Sequence, residues 1–188
     1  MKRINCSLTK SGSIERAIKE LEAYKKSLNQ KTERFVNALM EVGIQAAKEH
    51  SGKYAGMISF TKQLNQTVNG CNGVLIATDG QRVITEWYAS KKDAEKHRNV
   101  RSYEISPLLL AEFGSGWLAN VLGNVAGVGQ GTMPNSMGHA TDPDGWYWYD
   151  DNAVKHHSIG EAPTYPMHNA SMAMMSQIEQ IAREVFHG

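Results

Sequence analysis

One stripe constrains this chain more than any other feature. Ile14, Ile18, Leu21, Leu28, Phe35, Leu39, Val42 and Ala46 recur at alternating steps of four and three once Lys25 and Thr32 fill the two gaps. That alternation is the heptad signature of a helix laid against a partner, because it keeps one apolar seam on one side. The spacing predicts a helix from Ser13 to about Glu49, on the order of 55 Å long at ~1.5 Å per residue. A chain of 188 residues does not need so long a helix for its own core. Part of it is expected to pack on another copy. The polar pair lies beside Asn29, Gln30 and Lys31, so the helix is either continuous with a wet central seam or kinked there.

Charge divides along the chain in a way that the net +1 conceals. Residues 1–103 carry 18 Lys+Arg against 10 Asp+Glu, which is +8; residues 104–188 carry 2 against 9, which is −7. The lysines of the first part are scattered along the helix and read as a solvated face, not the concentrated basic surface that a nucleic-acid backbone requires. Opposite charge at opposite ends would let copies pack with complementary fields. No stretch approaches the roughly 20 apolar residues of a membrane span. MKRINCSLTK has no apolar segment after its basic start, so a cleaved signal is not expected. Cys6 and Cys71 are read as reduced thiols, with intracellular synthesis, and the Asn-x-Ser/Thr triplets at Asn5, Asn65 and Asn169 as chance.

Beyond Ser51-Gly52 the pattern turns strand-like from Tyr54 to Leu64, followed by a turn cluster over residues 69–73. VLIAT, Asp79-Gly80 and VITEWY read as a β-hairpin, since Asp-Gly supplies positive φ angles for a tight turn. The charged stretch 91–101 reads as a short helix or a mobile loop; its basic run is the best local candidate for nucleic-acid contact but lacks interleaved aromatics, and an exposed loop is expected. Ser106-Pro107 starts a short helix over Leu108 to Phe113 that Gly114 stops. Residues 114–145, rich in Gly and Asn, are too long for a passive connection and are expected to form an extended arm. WYWY at 146–149 reads as a strand, residues 150–160 as a polar loop, and 167–186 as a final helix with Met167, Ala170, Met174, Ile178, Ile181 and Val185 on one side. The fold class is therefore α+β: long N- and C-terminal helices on a small, mainly antiparallel sheet, all in one domain over 1–188, with 54–104 as its β-hairpin region.

Candidate chemistry is thin. His139, His156, His157 and His168 lie in one region with Asp142, Asp144, Asp150 and Asp151, but no pair has the spacing that puts two metal ligands on one face. Asp142-Pro-Asp144-Gly145 resembles the start of a calcium loop with its glycine too early and no glutamate at the twelfth position. GVGQG at 127–131 matches neither the dinucleotide fingerprint nor the P-loop, Cys71 has no nucleophile signature, and no Gly-x-Ser-x-Gly elbow occurs. Glu112 could pair with Glu86, Glu161 or an aspartate near Trp87, Trp146 and Trp148, as in sugar hydrolysis. The aromatics are better explained as sheet faces and core, and the methionines of MHNASMAMM as adaptable packing. No cofactor is expected.

The order of elements carries a resemblance. LLLAEFGSG (108–116) is similar to a hydrophobic-Glu-Phe-Gly-Thr/Ser segment, with Glu112, Phe113, Gly114 and Ser115 on the matching positions. GEAPTYPMHNASM (160–172) resembles a Gly-x-x-Pro-x-x-Pro-Phe segment leading into a last helix, with Pro166 and Ala170 fitting and Met167 in place of Phe. Asn169 stands where a proline is common, and the usual arginine is missing, with His168 nearby. In these two segments the chain resembles the small tail-component family of tailed bacteriophages, which acts in tail completion at the head–tail junction. The resemblance implies a structural virion protein, without catalytic activity, in rings commonly of six copies. Its partners would be itself and the connector, stopper and tail tube proteins, with genomic DNA passing through the lumen unread and no membrane involved. The expected assembly residues are Glu112, Phe113, Gly114, Leu28, Phe35, Trp146, Trp148 and Met167, with the arm draped over a neighbour and rooted by Glu112 and Phe113. Two rivals stand beside this: a carbohydrate-active or cell-wall enzyme using Glu112, and a DNA-packaging accessory using the basic half.

Overall fold

The first helix forms without interruption: α1 runs Ser13–Glu49 in a computed structural model that describes residues 11–68, 70–80, 82–118 and 143–187. Of the two possibilities at the polar pair, continuity is the one adopted. Thr32 satisfies its hydroxyl locally, donating to the Leu28 carbonyl at 3.0 Å. The C-terminal half of α1 is gripped from two sides. Helix α4, Pro166–His187, runs antiparallel along it, with Phe35 against Phe186 at 5.8 Å between ring centroids and Met174 beside Gly43. Lys31 Nζ donates to the Phe186 carbonyl at 3.2 Å, placing a cation at the negative end of the α4 dipole.

The hairpin on the other side of α1 is not the expected one. Strand β1, Ile58–Thr67, pairs antiparallel with β2, Gly70–Asp79, from Ile58↔Asp79 to Thr67↔Gly70, so the chain reverses between residues 67 and 70. Asp79-Gly80 therefore ends one sheet and does not turn a hairpin. Its carboxylate has another task, accepting from the Ser106 hydroxyl. The turn cluster expected over residues 69–73 is strand from Gly70 onward, and Gly73 sits inside β2, where a Cβ would meet Val36 Cγ1 at 2.7 Å and Met40 Cγ at 3.1 Å. That glycine lets the strand approach α1 closely. Lys62 also ties the hairpin to α1 by bonding Asn37 Oδ1 at 2.5 Å and Glu41.

Strand β3, Val83–Trp87, pairs antiparallel with β4, Arg101–Ile105. Between them the expected exposed loop contains a short helix, α2, Lys91–Glu95, with Ala94 fully buried. Its start is a reciprocal cap: Ser90 Oγ accepts the Asp93 amide at 3.2 Å and donates to Asp93 Oδ2 at 2.6 Å. Helix α3, Pro107–Phe113, has the predicted limits, with Ser106 Oγ accepting the Leu109 amide at 3.1 Å and Gly114 as its stop.

Strand β5, Trp146–Tyr149, pairs with β6, Lys155–Ser158, inside the stretch expected to be a polar loop. A strand of lysine, histidines and serine forms there because its rings are flat. Trp148 stacks on His156 at 4.2 Å and Tyr147 on His157 at 4.5 Å, each pair directly opposite in register. Among the described residues the sheets are thus three antiparallel pairs, with a Tyr88↔Tyr149 bridge joining the end of β3 to β5. A last short strand, β7, is Gly160–Glu161.

The core lies where α1, the hairpin, α3 and α4 meet: Ala47, Ile58, Phe60, Ala111 and Ala170 are buried together, with Leu108 and Met167 packed around them. Burying Ile58 or Phe60 contributes about 1.5–3 kcal/mol each. The small residues on the helices let the elements approach closely enough to shut water out. The architecture is α+β, as expected. Among the described residues no helix is long and apolar enough to cross a membrane, and no group of three His, Cys, Asp or Glu could hold a metal ion.

Candidate functional site

The two segments that carry the family resemblance meet in space. Tyr165 stands at the head of α4, since the Asn169 amide donates to its carbonyl at 2.9 Å, and Pro166 opens the helix with no N–H to satisfy. The next two amides would be orphans, and α3 supplies their acceptor. Glu112 Oε2 accepts from the Met167 N–H at 2.8 Å and Oε1 from the His168 N–H at 3.1 Å. A carboxylate in this position serves as an N-cap contributed from elsewhere in the chain and complements the positive end of the helix dipole.

Backbone bonds reinforce the joint. The Ala111 carbonyl accepts the Thr164 and Tyr165 amides at 2.8 and 3.0 Å. Tyr165 reaches that position with a left-handed backbone, φ 55°, a conformation costing about 1–3 kcal/mol that the surrounding bonds hold in place. Burial first, and then the charge of Glu112, push the Tyr165 phenol above its ordinary range.

The chain leaving the joint is held as well. Ser115 and Gly116 bridge antiparallel to Glu161 and Gly160, and the Leu118 amide donates to the Ile159 carbonyl at 3.2 Å. Gly160 has φ 100°, and a Cβ there would strike the Ser115 carbonyl, so the crossing needs a glycine. Gly114, Ser115 and Gly116 are buried. The start of the expected arm is therefore built into the body by pairing with β7, and the described contacts of Glu112 are to the start of α4. Residues 119–142 of that arm lie outside the described residues.

A cleft of about 360 Å³ opens beside this crossing. Trp87 of β3 and Trp146 and Trp148 of β5 line it together with Lys53, Tyr54 and Glu161. Strand alternation puts Trp146 and Trp148 on one face of β5. Glu161 Oε2 accepts from the Tyr54 hydroxyl at 2.7 Å and lies 2.8 Å from Lys53 Nζ. Burial, the hydrogen bond to Glu161 and its charge, in that order, raise the Tyr54 phenol well above its ordinary range. Trp87 carries the Arg101 guanidinium over its ring at 5.1 Å, and its buried indole N–H has no acceptor among the described residues. The sequence named the three tryptophans, but Lys53 and Tyr54 gave no signal, because only the pairing of distant segments brings them to Glu161.

Glu112 is absent from the cleft lining, and Glu161 is the lone carboxylate among the lining residues. Among the described residues the cleft thus presents one carboxylate, whereas glycoside hydrolysis uses two that flank the bond. Of the residues expected at an assembly surface, Phe35 packs on its own chain's Phe186, Met167 against the core, and Trp146 and Trp148 in the cleft. Phe113 is half-buried at the end of α3. Leu28 alone is on open surface, 41% exposed. Models of known protein families, curated proteins and solved structures offer no match to this chain.

Proposed function

We propose that this chain is a non-enzymatic structural subunit of a bacteriophage neck, a tail-completion protein that assembles into a ring between tail tube and head-side connector. The reading rests on the resemblance of the segments 108–116 and 160–172. The observation that carries it is the bidentate Glu112 contact to Met167 and His168, which joins those two segments into one structural unit. A segment pair that must meet to build a helix start explains why its Glu, Pro and small residues occur as a set. In this reading Glu112 is structural, and genomic DNA passes the ring without sequence contacts.

Two measurements test it. Negative-stain microscopy of the purified chain should show closed rings, alone or with tail tubes. Particles produced without the gene should accumulate filled heads and unattached tails, and a plasmid copy should restore joining. A chain that stays monomeric with every neck partner, or whose removal leaves joined particles, would sink the reading.

A further inference from the structure

The cleft beside the crossing has aromatic walls that the fold does not use for its own core. Trp87, Trp146 and Trp148 are each half-buried, and none belongs to the apolar cluster around Ala47 and Phe60. The Tyr88↔Tyr149 bridge sets β5 beside β3, and alternation along the strands then puts all three indoles on the face opposite those two tyrosines. Two of them are covered on the outer side only. Arg101, directly opposite Trp87 in register, lies over its ring from the β4 side. His156, directly opposite Trp148, stacks on that ring from the β6 side. The open faces of Trp87 and Trp148 are therefore turned toward each other's strand, and among the described residues no ring contact joins the two. Leaving that aromatic surface to water forgoes the stabilisation its burial would give.

The remaining wall is polar, and its charges cancel. Lys53 and Tyr54 come from the short 3₁₀ turn Gly52–Tyr54, and Glu161 from β7. Glu161 Oε2 lies 2.8 Å from Lys53 Nζ, so one cation and one anion share the same edge. Ser115 and Ser158 add hydroxyls. This combination discriminates between ligands. A cation would meet the ammonium of Lys53 and the guanidinium of Arg101. A phosphate or carboxylate would meet Glu161, and the lining residues hold no second cation to neutralise it. A purely apolar ring would strip water from the Lys53–Glu161 pair and return no hydrogen bond. A neutral polyhydroxylated ring suits both walls. Its C–H faces lie against indole, whose negative face attracts them, while a hydroxyl at its edge both accepts from Lys53 and donates to Glu161.

We infer that this cleft binds a neutral saccharide, one or two pyranose rings seated against Trp87 and Trp148 with their hydroxyls on the Lys53–Glu161 pair. At about 360 Å³ the cleft lies at the small end of ligand pockets, which run roughly 300–1,000 Å³, so a longer glycan would extend beyond it. Sugar binding here goes beyond the neck assignment and does not depend on it. A ring that joins tails yet ignores sugars would sink the cleft assignment alone. Sugar binding by a chain with no part in tail joining would sink the neck assignment alone.

The probes are maltose, cellobiose and diacetylchitobiose, titrated into isotope-labelled protein while the indole N–H resonances are followed. At least one of the three should shift the Trp87 and Trp148 signals saturably in the millimolar range. Sorbitol, which has the hydroxyls without the ring, should leave them in place. Trp148→Ala should weaken binding of the active sugar by about tenfold or more, through loss of one stacking face. Lys53→Ala, at a side chain 66% exposed, should weaken it several-fold with the fold intact. Should Trp148→Ala prove unfolded by circular dichroism, Lys53→Ala alone decides. The proposal is overturned by no saturable shift with any of the three sugars, by equal shifts with sorbitol, or by wild-type affinity in Lys53→Ala or in a folded Trp148→Ala. Tighter binding of adenosine than of every sugar would overturn it in favour of a nucleobase.

Discussion

Glu112 and Met167, 55 residues apart, are joined by a carboxylate oxygen 2.8 Å from a backbone amide. Removing that acceptor leaves two helix-terminal donors to find water in a half-buried site. Glu112→Ala should therefore lower stability by about 1–2 kcal/mol. Glu112→Gln, which keeps one acceptor oxygen, should lose about half as much. Urea unfolding of the three proteins measures both. A catalytic Glu112 would instead show lost turnover at unchanged stability.

Gly160→Ala tests the crossing. The new methyl would meet backbone, not a flexible side chain, at φ 100°, so the penalty should exceed about 2 kcal/mol. Because Trp146 packs beside Gly116 there, its emission should shift to longer wavelength. An Ala variant with wild-type stability and spectrum would show that the segments separate freely.

The turn before β6 should respond to acid. The hydrogen bond from His156 leads, with help from the Val154 amide, in holding the Asp150 carboxyl below its ordinary range. A depressed folded-state pKa gives stability that is present above the unfolded value of about 3.9 and lost as pH falls through the folded one. The thermal midpoint should drop on acidification below about pH 4, and Asp150→Asn should flatten that drop in part. Asp93, lowered chiefly by its Ser90 bond, acts in the same direction and keeps the remainder. An Asp150→Asn profile parallel to wild type would remove Asp150 from the account.

Exchange rates along α1 should be graded. Residues near Ala47 are locked in the core, whereas residues 13–28 have an uncovered seam and rely on intrinsic helix propensity. An isolated helical stretch of that length is marginal in water. Under dilute conditions, amides of 14–28 should exchange within seconds to minutes, and those of 40–47 at the rate of global opening. Uniform protection along the helix at low concentration would contradict this.

What the sequence disclosed depended on how local the cause was. Ser106, Pro107 and Gly114 set the limits of α3 through bonds within a few residues, and those limits were readable. The heptad stripe was readable for the same reason, since it is a repeat along one element. Asp79-Gly80 has the composition of a tight turn, but the strand before it pairs backward with β1, and Asp79 serves a cap 27 residues on. Strand β6 was missed because its apolar surface is the flat side of two histidines, which hydropathy counts as polar. The cleft was least visible: Lys53, Tyr54 and Glu161 converge through packing of segments more than a hundred residues apart, and no spacing rule reaches that far. Glu112 is the intermediate case. Its motif was legible, and its partner amides, belonging to the backbone, carry no side-chain signature.

The anchoring around Ser158 and Ile159 has a corollary. Leu118 bonds to the Ile159 carbonyl on one side, and Gly145 is buried against Ser158 and Ile159 on the other. Two parts of the chain that are 27 residues apart in sequence are therefore seated together at the end of β6. A substitution that displaces Ile159 would unseat both at once.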